Sequence, residues 1–308
     1  MELESAVLET MVYYDLFDYP LSGVELWKYL ISAESYSLDE VIQTANQHKE
    51  IAFDRGFFCI KGKEWVIGER MDRYNTALRL RKKLYRWRWV FRSIPFMRAV
   101  YISGPLAQDA PHKESDIDLI LFSKHNRLWT SRFFMTTVLK VFRARPQYIP
   151  TLQKMRGTNK GKLCCNLWVS DEKNSLEPYA LPPTDSHFAL WLKHITPLWV
   201  SDEQVSKKFV HDNSWIKKVS EFENTAVVYK KATWIQRIAE MIVRIIPDSW
   251  YQSLQWVLMP AEMKKKAQSK DTSVVVRRNC AKLHVTDKRD YYNRAWRERV
   301  QAYDQPRS

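Results

Sequence analysis

Two carboxylates set two residues apart, in Ser115-Asp116-Ile117-Asp118, open the apolar run Leu119 to Phe122. Residues i and i+2 of a strand face the same way, so Asp116 and Asp118 would stand side by side at the mouth of a buried strand. Like charges that close repel, and burying them unpaired is costly. A divalent cation relieves both penalties, and Mg²⁺ is typically held by one or two carboxylates together with substrate phosphates. Upstream, the apolar run Ala99 to Ile102 ends at Ser103-Gly104, where the missing Cβ lets backbone approach a phosphate. The competing account, a solvated Asp-x-Asp pair at a strand edge, explains the carboxylates but not the glycine, the spacing and the two flanking runs together.

A strand ending in glycine, about a dozen residues, then Asp-x-Asp on the next strand resembles the nucleotidyltransferase superfamily that includes DNA polymerase β and the kanamycin nucleotidyltransferases. The resemblance covers about Ala99 to Val169 and is only architectural elsewhere. It implies that Asp116 and Asp118 hold one or two Mg²⁺ (or Mn²⁺) and that Ser103, Gly104 and Ser115 line the nucleotide triphosphate. The implied reaction is transfer of a nucleoside monophosphate from an NTP to an acceptor hydroxyl by in-line displacement. A third carboxylate is expected on a later strand. The candidate strand, Leu163 to Val169, carries Asn166 at its centre, which can coordinate through its carbonyl but cannot act as a base; Asp171 and Glu172 just past it are candidate substitutes. Two further departures stand out. The family's Gly-Ser is Gly104-Pro105, which removes a hydroxyl and an N–H, and Gln108-Asp109 occupies a place where many members have Arg-Gly. These departures support a rival reading, a degenerate member that binds nucleotide or nucleic acid without turnover.

The elements around this pair read as an α+β chain. Residues 1–70 are expected to form a winged helix-turn-helix. Leu3 to Leu16 has helical periodicity, Ser22 caps a second helix, and Ser37 with Glu40 makes a capping box for a third. Two apolar runs around Lys61-Gly62-Lys63 then read as a hairpin with a basic tip. The acidic first turn of the third helix (Asp39, Glu40) opposes a duplex, so a DNA-binding regulator is the second rival. Residues 71–95 read as a connecting helix with Leu80, Leu84, Trp87 and Phe91 on one face and Arg79, Lys82, Lys83 and Arg86 on another. That basic face is either a rail for phosphates or a solvated surface over a packed stripe. Residues 96–182 form the nucleotidyltransferase-like core, a mixed sheet with flanking helices. Residues 183–308 are expected to be a helical C-terminal domain.

The chain has 308 residues and a formal net charge of +14, a balance that suits polyanionic partners. Its four cysteines show no zinc-type spacing and read as reduced and structural. Met1-Glu-Leu-Glu-Ser lacks the basic start and apolar core of a signal peptide, and no run is long enough to span a bilayer, so a cytoplasmic location is expected. Trp234 to Leu258 is the most apolar stretch and is followed by Lys264-Lys-Lys266. It is expected to pack as a helical hairpin on the core or on a dimer partner; an anionic membrane surface is the less favoured alternative.

Overall fold

The first unit is built from short helices that end where local chemistry ends them. The computed structural model describes residues 2–146, 148–149, 154–155, 159–220, 229–269, 272–284 and 287–304. Helix α1 (Leu3–Asp15) buries Val7, Met11, Val12 and Tyr14. Strand β1 (Leu21–Ser22) runs into α2 (Gly23–Lys28), and α3 (Leu38–Gln47) follows. Both α2 and α3 start in capping boxes, Ser22 with Glu25 and Ser37 with Glu40, each satisfying two orphan N–H groups. Strands β2 (Ile51–Asp54) and β3 (Phe57–Ile60) pair antiparallel, and β1 joins them in a three-stranded sheet of order β1-β3-β2.

The hairpin turn is not the expected Lys61-Gly62-Lys63. Asp54 pairs with Phe57, so the turn is Arg55-Gly56, with φ of +47° and +87°. A two-residue hairpin of this hand needs positive φ at both positions, and glycine supplies one of them freely. Lys63 instead pairs with Asp15 at 2.8 Å and leads into the next helix.

Helix α4 (Val66–Phe91) is continuous through the boundary expected at residue 70 and is about 39 Å long. Its Leu80, Leu84 and Phe91 enter the central core, while Arg79, Lys82, Lys83 and Arg86 are exposed. Then come β4 (Met97–Ile102), the single turn α5 (Gly104–Ala107), β5 (Ile117–Ser123) and α6 (Leu128–Val141). Two short strands, β6 (Tyr148–Ile149) and β7 (Lys154–Met155), pair with each other, and β8 (Leu163–Ser170) returns to the main sheet.

The last part of the chain is not purely helical. Between α7 (Ser186–Lys193) and α8 (Glu203–Asp212) lies β9 (Thr196–Val200). After α9 (Trp234–Val243), α10 (Asp248–Val257) and α11 (Ala261–Gln268) come β10 (Val274–Val276), β11 (Cys280–Leu283) and α12 (Arg289–Asp304). The six-stranded sheet has the order β10-β11-β8-β5-β4-β9, so residues 183–308 supply three of its strands. The expectation of helix failed because β9 contains Pro197 and β10 is only three residues long. Proline is tolerated there because β9 is an edge strand. The sheet is mixed: β5 and β8 are parallel, and the other pairs are antiparallel.

One face of the sheet, with Val100, Ile102, Leu119, Leu121 and Trp168, packs under α4 and α6. The other, with Ala99, Tyr101, Ile120, Phe122 and Leu167, packs under α7 and α8 through Phe188, Leu192, Val205 and Phe209. The N-terminal unit is fastened to the C-terminal helices by a shared apolar cluster that includes Leu190 and Trp296, and by hydrogen bonds. Tyr13 bonds His187 at 2.9 Å, Tyr14 bonds His194, and Trp296 donates to the Glu9 carbonyl at 3.0 Å. Among the described residues, no helix is long and apolar enough to cross a membrane.

Candidate metal centre

Strands β4 and β5 are antiparallel neighbours with Ile102 opposite Leu119, so the end of β4 and the start of β5 meet at one edge of the sheet. The Ser103 N–H donates to the Asp118 carbonyl at 3.0 Å, extending the ladder by one bond and burying Ser103. Gly104 then turns away with φ of +61°. A Cβ on Gly104 would lie 2.7 Å from Asp118 Oδ2, so a side chain here would strike the carboxylate. The glycine is required twice, for its backbone angle and for its missing side chain.

Asp116 and Asp118 have the parity of Ile120 and Phe122, and both are half-buried. Directly across on β8, Asp118 registers with Cys164. Oxygens of the two carboxylates and the Cys164 Sγ all lie within 4.8 Å of one another. Burial raises both carboxyl pKa values. Asp118 is raised further by the negative charge of Asp116, while the Cys164 thiol, as a hydrogen-bond donor, pulls both back. Burial and the two carboxylates push the Cys164 thiol well above its ordinary value, which keeps it protonated. Among the described residues, neither carboxylate forms an ion pair with a lysine or arginine.

Asn166, expected at the third position, is two residues past Cys164. The β5–β8 register shifts between Asp118 and Ile120, which pair with Cys164 and Leu167, so Asn166 sits in a bulge rather than opposite Asp118. Asp171 and Glu172 are at the wrong end of the sheet. Because β8 is parallel to β5, Ser170 registers with Ser123, which places these acids roughly 20 Å from Asp118 at strand rise. Asp171 has another task there, accepting the His125 N–H at 2.7 Å. Nothing in its residue type marks Cys164 in the sequence as the partner of the carboxylates; only its pairing with Asp118 does.

Ser115 frames the approach. Its carbonyl accepts the Gly161 N–H at 2.8 Å, and Ile117 N–H donates to Lys162 at 2.8 Å, so the loop before β8 is tied to the residues flanking Asp116. Lys83 overhangs that loop: its Nζ would lie 3.2 Å from a Cβ on Gly161. Of the four basic residues expected as a rail, Lys83 thus touches the loop beside the carboxylates. Residues 156–158, in the loop before β8, lie outside the described residues. Pro105 occupies the first turn of α5, where its missing N–H costs no helical bond. Arg81 fixes the far side of this turn, donating to Asp109 at 2.7 Å and to the Leu106 carbonyl at 3.0 Å. The acid of Gln108-Asp109 is therefore engaged by α4, and the Gln108 carbonyl accepts from Tyr19 at 2.6 Å.

No family model, no curated protein and no solved structure matches this chain.

Proposed function

We propose that this protein is a nucleotidyltransferase that moves a nucleoside monophosphate from an NTP to an acceptor hydroxyl, with Asp116 and Asp118 holding Mg²⁺ or Mn²⁺. The observation that carries this reading is the seating of a positive-φ glycine against a half-buried carboxylate pair that has no cationic partner among the described residues. Gly104 leaves Asp118 Oδ2 open where any side chain would cover it. The two carboxylates suit a hard divalent ion; the neutral thiol of Cys164 does not add a hard ligand. Such an ion would neutralise the pair and draw charge from the triphosphate and the departing pyrophosphate. Gly104 gives the phosphates room beside Asp118. Lys83 and the loop at Gly161 lie on the side where further phosphate charge is accommodated. In the displacement, a bond forms between the acceptor oxygen and the α-phosphorus, the bond to the bridging oxygen breaks, pyrophosphate leaves, and the hydroxyl proton passes to solvent.

Where a third carboxylate would take the acceptor's proton, this chain has the protonated thiol of Cys164. That substitution favours a second reading, a nucleotidyltransferase fold that binds nucleotide without turnover. Under either reading the unit α1 to β3 is a winged helix used for architecture or protein contacts. The turn at Arg55 carries one cation, already paired with Asp54 at 2.9 Å, and Glu40 in the first turn of α3 is spent on a capping box. Both features speak against a duplex-reading regulator.

The test is label transfer from a mixture of α-labelled NTPs with Mg²⁺ or Mn²⁺, offering RNA, DNA, small hydroxyl compounds and the protein itself as acceptors. Transfer that disappears in Asp116→Ala/Asp118→Ala is the expected result. Metal-dependent NTP binding without transfer selects the second reading, and the absence of both overturns the site.

A further inference from the structure

Helices α9 and α10 are assembled inside out. On α9 the residues that face the protein are polar. Gln236 is fully buried and donates to the Ile94 and Met97 carbonyls at 2.7 and 2.8 Å. Glu240 accepts from the Phe96 N–H at 2.8 Å and from Arg98 at 2.9 Å. On α10, Asp248 accepts from the Trp129 and Thr130 N–H groups, and Gln255 donates to the Trp129 carbonyl at 2.8 Å. Tyr251 of α10 packs inward on Phe133 and Phe134, and Trp256 packs beside Met259, but the remaining apolar arc faces outward. Trp234, Ile238, Met241 and Ile242 follow one another at helical spacing on α9, and Ile245 extends the row just past its end, with Trp234 70% and Ile245 81% exposed. Trp250, Val257 and Leu258 continue the exposed apolar surface on α10. An amphipathic helix ordinarily turns its apolar arc to the core; these two anchor through hydrogen bonds and leave the arc unpartnered.

The charges around the arc identify its occupant. Residues 229–269 contain seven lysines and arginines and three acids. Two of the acids, Glu240 and Asp248, are turned inward, so Glu262 is the one acid on the outer side. Arg237 and Arg244, one heptad apart on α9, border the apolar arc, and Lys264, Lys265 and Lys266 lie beyond α10. A second copy of this chain docked face to face would set these cations against their own counterparts. An anionic bilayer accepts both features, taking the isoleucines and tryptophans into the boundary between headgroups and acyl chains and the cations against the headgroups.

We propose that the α9–α10 face docks this protein on an anionic lipid surface, as a peripheral and not a spanning attachment. This proposal is independent of the nucleotidyl-transfer reading, since neither its residues nor its readout involves Asp116 or Asp118.

The experiment is co-sedimentation of the full chain with phosphatidylcholine vesicles and with vesicles containing about one-third phosphatidylglycerol, at about 0.1 M salt. Size-exclusion chromatography of the same samples without lipid runs beside it. The wild type is expected to pellet with the anionic vesicles and much less with phosphatidylcholine alone. Ile238→Ser/Ile242→Ser/Ile245→Ser, which alters only exposed side chains, is expected to keep its melting temperature and to bind at least tenfold more weakly, about the effect of withdrawing a few methylene groups from the membrane. Lys264→Gln/Lys265→Gln/Lys266→Gln is expected to weaken binding by about fivefold per charge removed and to remove the preference for anionic vesicles. Three outcomes overturn the proposal. One is a wild type that pellets with neither vesicle. Another is vesicle binding undiminished in the triple serine variant. The third is a wild-type dimer that the serine variant converts to monomer without any vesicle binding in either, which would make the face a contact between copies.

Discussion

Two clusters of carboxylates, one at the start of β5 and one between the N-terminus of α7 and the residues after β11, meet their charge in opposite ways. At one, Asp185 and Asp287 surround Arg289, whose guanidinium donates to both carboxylates, to the Tyr179 carbonyl at 2.7 Å and to Thr272 at 2.8 Å. Hydrogen bonds from Arg289 and the charge of Lys282 hold the Asp287 carboxyl far below its usual range, against the effect of burial. At the other, Asp116 and Asp118 have only a neutral thiol between them, and burial drives both carboxyls up. Charges that carry their own counter-ion serve the fold. Charges that lack one cost stability, and under the proposed function their counter-ion would come from outside.

The contrast is broken most directly by removing the internal cation. Arg289→Ala would leave Asp185, whose side chain is fully buried, without its charge partner, and is expected to cost about 3–5 kcal/mol in urea or thermal unfolding. Arg289→Lys should rescue only part of this, because an ammonium cannot reproduce a fork shared among a carbonyl, a hydroxyl and two carboxylates. The same operation at the other cluster has the opposite sign. Asp118→Asn removes a buried charge and its repulsion from Asp116, and should raise the stability of the cation-free protein by about 1–2 kcal/mol. Mn²⁺ at a hundred times its dissociation constant should stabilise the wild type by about 2.7 kcal/mol and leave the variant unmoved. A wild type whose melting temperature ignores Mg²⁺ and Mn²⁺ would remove the distinction between the two clusters.

The two clusters were not equally legible in the sequence. Asp116 and Asp118 were, because an i, i+2 pair ahead of an apolar run has few meanings, and the glycine ending the preceding run marked where a close approach was needed. The cluster around Arg289 was only half visible: Asp287 is two residues from Arg289, but the fully buried Asp185 is 104 residues away and meets it only in the fold. The third member of the carboxylate site was missed for a local reason. A bulge in β8 adds one residue between Cys164 and Leu167, so Asn166 at the centre of the run falls in the bulge, while the register sets Cys164 opposite Asp118. The hairpin turn was misplaced because Lys61-Gly62-Lys63 and Arg55-Gly56 both offer a glycine, and only pairing decides between them. In α9 and α10 the helices were legible from their periodicity but their orientation was not, since a hydrophobic arc indicates a face without saying which side of the molecule it takes.

A milder change sharpens the account of the open cluster. Gly104→Ala places a methyl group against Asp118 Oδ2 in a backbone conformation that L-residues avoid, at a cost of about 1–2 kcal/mol. Its effect on Mn²⁺-induced stabilisation should be far larger than this cost implies, because the methyl covers the oxygen a cation would use. If Gly104→Ala keeps the full Mn²⁺ response, the cation does not sit between Gly104 and Asp118.

The smallest expected effects are in the pH dependence of the self-neutralised cluster. The folded-state pKa of Asp287 lies far below its ordinary value of 3.8, so the unfolded chain takes up a proton there that the native chain refuses. The stability this group contributes is fully present above about pH 4 and is lost as the pH falls below that. Lys282, buried and repelled by Arg289, is lowered from 10.5 to about 8. Between those values the native chain has shed a proton that the unfolded chain still holds, so this group makes stability rise with pH across that window. Asp287→Asn should flatten the acid limb of a melting-temperature profile, and Lys282→Met should flatten the alkaline limb. At Asp118 the folded carboxyl is raised rather than lowered, which gives a slope of the opposite sign: in cation-free protein its burial costs more as pH rises and the group ionises. Opposite slopes from the two acid clusters separate a carboxylate that the fold has paired with a cation from one that it has left without a counter-charge.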